Sequence, residues 1–138
     1  MNWTLDDATA LYGIDRWGSG YFAINEEGHV CVRPGGDDGP AVDLHDVVEG
    51  LRARDLTAPL VLRFSGIIAA SMRRLAGAFE GAMAENGYRG SYRAVFPIKV
   101  NQHRQVVEEV YRQGEPLGFG LEAGSKPELL AVLAMTGD

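Results

Sequence analysis

The sequence predicts an α/β protein in which strands and helices alternate through the second half of the chain, with a short β-hairpin ahead of them. Three observations carry this expectation. Apolar runs at 60–64, 92–100 and 118–123 are short enough to be strands, and each is followed by a segment whose apolar residues recur at helical spacing. Continuous apolar runs of this kind suit a parallel sheet buried on both faces. Upstream, 21–24 and 29–33 read as two strands joined by Asn25-Glu26-Glu27-Gly28, a hairpin turn. Right-handed crossovers leave two architectures for the alternating part: a doubly wound sheet or part of a (β/α)8 barrel.

Composition narrows the partners. The chain has 138 residues, of which 46% are hydrophobic, enough for one modest core. Its net charge is -6 and it has no basic run, so nucleic acid is not an expected partner. No stretch approaches the length of a membrane span, and the first residues lack the basic-then-apolar pattern of a signal peptide. Cys31 is the single cysteine and lies in a predicted strand, where it reads as a small core hydrophobe. A cytoplasmic protein that binds neither nucleic acid nor membrane is the expectation.

The elements follow in order. Thr4 and Asp7 form a capping-box-like start for a helix over 5–12 that stops at Gly13. Trp17-Gly18-Ser19-Gly20 is a loop before the hairpin. Residues 34–40 hold three glycines, two aspartates and two prolines and make the best internal boundary. Asp43 is an N-cap for a helix to about Arg54, with Leu44, Val47, Val48 and Leu51 on one face. Ser65-Gly66 opens a long helix bearing Ile68, Met72, Leu75, Phe79 and Met83, ending near Asn86-Gly87. Asn101 is placed to cap the helix that carries Val106, Val107, Val110 and Tyr111. Ser125 to Glu128 is a capping box with proline in the first turn of the last helix.

Lys99 stands near the carboxyl end of the 92–100 strand, the end where α/β folds keep their chemistry. Two readings of it stay open on residues alone. It is a charged side chain snorkelling out at a strand end, or a desolvated amine able to condense with a carbonyl group. A dinucleotide fold would want Gly-x-Gly-x-x-Gly; Gly118-Phe119-Gly120-Leu121-Glu122-Ala123-Gly124 is one residue too long. Arg73 and Arg74 read as a solvated helix face, Ser125 as a cap rather than a ligand, and His103 as a polar residue at a helix start.

The segment Phe96-Pro97-Ile98-Lys99-Val100-Asn101-Gln102-His103-Arg104 resembles the cofactor-lysine segment of the biosynthetic arginine decarboxylases, which are pyridoxal-phosphate enzymes of the alanine-racemase-like group. Tyr12-Gly13-Ile14, Trp17-Gly18, Tyr21-Phe22, Gly28-His29-Val30, Gly114 to Gly118 and Leu121 to Lys126 are similar to that family in the same order, so the likeness runs through nearly the whole chain. The resemblance implies a partial (β/α)8 barrel of about three strand-helix units over 41–138, out of the eight in a complete barrel. It implies that 1–40, with the hairpin, belongs to a β-rich domain.

The same resemblance implies that Lys99 forms the Schiff base to pyridoxal 5'-phosphate, and that Glu122 lies near the cofactor. The activity implied is decarboxylation of L-arginine to agmatine and CO2 in polyamine biosynthesis, with magnesium dependence and a homo-oligomeric enzyme. Alternatives are a sister decarboxylase of ornithine, diaminopimelate or carboxynorspermidine, and a non-catalytic pyridoxal-phosphate-binding barrel protein; the hairpin argues against the last. The phosphate cradle, the partner of the ring nitrogen and the guanidinium-recognising residues have no counterpart in the sequence. The chain is therefore expected to be an inactive piece of a larger enzyme.

Overall fold

The computed structural model describes residues 2–36 and 39–137, so Asp37 and Asp38 of the 34–40 loop lie outside the described residues. The chain divides into two compact units, Met1–Ile67 and Ile68–Asp138.

In the first unit, α1 spans Leu5–Tyr12. Thr4 Oγ1 accepts the Asp7 N–H, and the Asp7 carboxylate accepts the Thr4 N–H, so the expected capping box forms. Gly13 ends the helix in the left-handed conformation (φ 61°). A second short helix, α2 (Ile14–Trp17), follows where no helix was expected. Gly13 both stops α1 and starts α2, because its C=O accepts the N–H groups of Arg16 and Trp17. Four residues are too few to show a periodic pattern. The Trp17 indole N–H donates to the Tyr12 carbonyl, and its ring leans on Phe22 at 5.1 Å.

The hairpin forms as expected. Strands β1 (Phe22–Ile24) and β2 (Val30–Val32) pair antiparallel, with Phe22 opposite Val32 and Ile24 opposite Val30. A third strand, β3 (Val42–Asp43), adds to β2 and places Asp43 opposite Cys31. Two residues carry no alternation, which is why the sequence reading missed it. Val32 and Cys31 are buried in this sheet. Asp43 then caps α3 (Leu44–Arg52), accepting the N–H groups of His45 and Asp46.

The same carboxylate also takes the Asn25 side-chain amide at 2.8 Å and faces His29 Nδ1 at 2.9 Å. One aspartate thus joins the hairpin turn, strand β2 and the start of α3. Burial pushes its carboxyl upward, but the bonds from His29, His45 and Asp46 and the nearby imidazole outweigh that and hold it below the usual aspartate range.

The expected strand at 60–64 is not formed. These residues are irregular, and Val61 is 80% exposed. A strand exists only through a neighbour's hydrogen bonds, and none of the described strands pairs with this run. Its apolar composition signals a capacity for burial, not the presence of a partner.

Helix α4 spans Ser65–Glu85, beginning in the first unit and running through the second. Its buried residues are Ala69, Met72 and Ala76. The stripe is therefore narrower than the expected Ile68–Met83 face, and Leu75 is exposed. Phe79 instead stacks on Tyr92 with ring centroids 3.8 Å apart.

Strand β4 is Val95–Pro97, shorter than the 92–100 strand expected. Ile98–Val100 leaves the extended conformation as one turn of 3-10 helix. After it come α5 (Arg104–Gly114), β5 (Gly120–Glu122) and α6 (Lys126–Thr136). Val107 and Val110 of α5 are buried. Glu109, also buried, is bonded by Arg112 and by the Gln113 amide. Strands β4 and β5 pair in parallel, with Val95 opposite Gly120 and Pro97 opposite Glu122.

The fold is thus mixed α/β. The described strands form a three-stranded antiparallel sheet and a two-stranded parallel pair, and they close no barrel. Of the three strand-helix units expected, β4-α5 and β5-α6 are formed. The first lacks its strand because 60–64 has no neighbour.

Candidate functional site

A parallel strand pair ends both strands at the same rim, and here each end carries one candidate residue. β4 stops at Pro97 and β5 at Glu122, which face each other across the ladder. Lys99 follows two residues after Pro97. It lies in the 3-10 turn beyond the strand rather than within the strand, a correction to the sequence reading. The backbone leaves the extended conformation at Ile98 for the 3-10 turn, and pairing ends there.

Within the turn the side chains separate by environment. Ile98 is 4% exposed, whereas Lys99 and Val100 are exposed. Lys99 makes no side-chain hydrogen bond or ion pair among the described residues. Of the two readings left open by the residues, this exposure matches the snorkelling side chain: Lys99 stands in solvent, and among the described residues β5 is the only strand beside β4. Glu122 is also exposed and likewise unbonded among the described residues.

The loop after β5 is fixed by a variant of the expected capping box. The Glu128 N–H donates to Ser125 Oγ at 3.4 Å, and Gly124 N–H donates to Glu128 Oε2 at 2.6 Å. Ser125 is therefore a cap, as expected, and the glutamate reaches back one residue further than in the usual motif. Pro127 sits in the first turn.

Asn101 does something the sequence reading missed. It was expected to cap α5, but His103 occupies that position and makes no side-chain cap. Asn101 Oδ1 instead accepts the His103 N–H at 3.1 Å, closing an Asx turn between the Lys99 turn and the helix. The asparagine itself was the available signal, since this residue type makes such turns as readily as caps.

A cavity of about 230 Å³ adjoins the turn, bounded by Ile98 and Val107 and, on α6, by Ala131, Val132 and Met135. Arg73 and Arg74 are exposed on α4, as expected of a solvated face. Among the described residues, no group of three or more His, Cys, Asp or Glu side chains is placed to hold a metal ion. Among them, too, no helix is long and apolar enough to cross a membrane.

No protein-family model matches the chain. Among curated proteins, the chain is similar throughout its length to part of an amino-acid decarboxylase. The relatives are biosynthetic arginine decarboxylases. That of Synechococcus sp. (strain RCC307) is 51% identical over 138 residues, covering 100% of this chain and 22% of the relative. That of Synechocystis sp. is 53% identical over 133 residues, covering 96% of this chain and 19% of the relative. That of Rhodopirellula baltica is 49% identical over 133 residues, again 96% of this chain and 20% of the relative. The chain spans about a fifth of the length of the curated relatives it matches.

Proposed function

We propose that this segment supplies the cofactor-holding lysine of an arginine decarboxylase, an enzyme that converts L-arginine to agmatine and CO2 in polyamine biosynthesis. The observation that carries the reading is identity of about one half to such enzymes over essentially the whole chain. In this reading 1–40 contributes to a β-rich domain and 41–138 opens a (β/α)8 barrel. The enzyme is a cytoplasmic homo-oligomer that uses pyridoxal 5'-phosphate and Mg2+.

The residues present fit pyridoxal phosphate at one point, the primary amine of Lys99, which is exposed and uncommitted among the described residues. When bound, pyridoxal phosphate supplies an electron sink for the carbanion left at Cα as the carboxylate departs. Lys99 would hold the group at the rim through its primary amine. Glu122, paired with Pro97 across the ladder, ends its strand at the same rim and is the carboxylate we assign to the neighbourhood of the cofactor. The turn after β4 presents Lys99 on the solvent side while Ile98 anchors the other side.

The chain's lysines are Lys99 and Lys126, which makes the test direct. The complete enzyme carrying this segment is incubated with pyridoxal phosphate, reduced with borohydride and digested. The phosphopyridoxyl label within the segment is expected on Lys99, and Lys99→Ala should abolish agmatine formation. Label confined to Lys126, or full activity in Lys99→Ala, would overturn the reading.

A further inference from the structure

A single turn of 3-10 helix has poorer hydrogen-bond geometry than an α-helix and little stiffness of its own. The turn carrying Lys99 is nevertheless held from both ends. On its amino side, Ile98 is 4% exposed and packs at the edge of the cavity shared with Val107 and α6. On its carboxyl side, Asn101 is extended (φ −153°, ψ 105°), and its Oδ1 accepts the His103 N–H at 3.1 Å. The bond runs from residue i to the N–H of i+2, so it fixes the chain direction between Val100 and the start of α5 rather than capping the helix. The helix gains nothing comparable from its N-cap residue, because His103 makes no side-chain cap. The amide of Asn101 is thus spent on the path of the backbone leaving the Lys99 turn.

We propose that Asn101 is a positioning residue for Lys99: its Asx turn sets the direction in which the turn presents the amine at the rim shared with Glu122. The inference rests on the proposed function. A lysine on a long, flexible stem reaches a reacting carbonyl from many directions. Only a fixed origin makes one of them dominant, and small misplacements are costly in rate. The acceptor oxygen is the feature that matters, not the amide nitrogen.

The test uses the complete enzyme carrying this segment and two readouts, the rate of borohydride-trapped labelling at Lys99 and the separate values of kcat and KM. Asn101→Ala should lower the labelling rate and kcat by about tenfold, with KM for arginine little changed. Asn101→Asp keeps an acceptor oxygen and should restore most of the loss. A second pair of variants works from the donor. His103 has φ −61°, which proline adopts without strain. His103→Pro therefore deletes the donated N–H, whereas His103→Ala keeps it; only the proline variant should behave like Asn101→Ala. Should Asn101→Ala fail to fold, the His103 pair decides. Wild-type labelling in Asn101→Ala, an Asn101→Asp variant no better than alanine, or equal behaviour of the two His103 variants would overturn the inference. An unlabelled Lys99 in the unmodified enzyme would remove the proposed function itself, a result distinct from any of these.

Discussion

Pro97 and Glu122 stand opposite one another as the last pair of the parallel ladder between β4 and β5. The ladder ends there because the chain turns at Ile98 into one turn of 3-10 helix. Its end brings a carboxylate alongside the backbone that turns into Lys99.

A first prediction concerns Glu122. Its side chain is exposed and makes no hydrogen bond among the described residues, so its replacement costs the fold little, within about 0.5 kcal/mol. Glu122→Gln should leave the melting temperature unchanged while lowering kcat/KM for arginine about tenfold or more in the complete enzyme. Unaltered kinetics would mean that the carboxylate is only a solvated strand end.

Asp43 supports a prediction about stability. It accepts hydrogen bonds from Asn25, His45 and Asp46 and contacts His29. Asp43→Ala removes a helix cap and leaves the Asn25 amide without this acceptor. Thermal unfolding should shift down by several degrees. Asn25→Ala deletes the bond to Asp43 and the one that Asn25 Oδ1 accepts from the His29 N–H but keeps the helix cap, and should shift it by less.

The acid response follows from the same carboxyl group. It is held below the ordinary aspartate range, so in mild acid the folded state binds fewer protons than the unfolded chain. Its stabilisation is complete above the ordinary range and is lost as pH falls through that range to the lowered value. The Asp7 carboxyl, lowered by its bonds from Thr4, acts in the same direction. Urea midpoints measured below neutral pH should therefore fall as acid is added. Asp43→Asn should make that limb shallower, and an unchanged limb would refute the assignment.

Gly114 is the test of packing. A methyl group built there would lie 2.7 Å from Met72 Cε and 2.7 Å from Phe119 Cβ. The methionine tip can move, but the phenylalanine Cβ is fixed by its backbone. Gly114→Ala should destabilise by about 1–3 kcal/mol, read as a lower urea midpoint.

Signals written in single residues were the legible ones. Thr4 with Asp7, Gly13, Asp43 and Ser125 each marked a helix end that the structure contains, because caps are local chemistry. The hairpin from Phe22 to Val32 was legible for the same reason, with its turn residues and flanking strands in one short stretch. What failed depends on partners far along the chain. Val61 lies in as apolar a run as Val95 does, yet only the latter has a neighbour to pair with. Strand β3 was too short to leave a pattern. Lys99 was expected inside a strand's carboxyl end but lies in the turn beyond it, because the backbone leaves the extended conformation at Ile98, earlier than apolar continuity suggested. The role of Asn101 was hidden because asparagine before a helix serves a cap and an Asx turn equally well.

Cys31 gives the hairpin sheet a built-in reporter. It is the chain's single cysteine, it is 7% exposed, and burial, its largest cause, raises its thiol above the ordinary range. A thiol so placed reacts with alkylating agents chiefly when the strands around it part. The speed at which an alkylating reagent consumes it therefore measures how often that sheet opens, with no added dye or mutation.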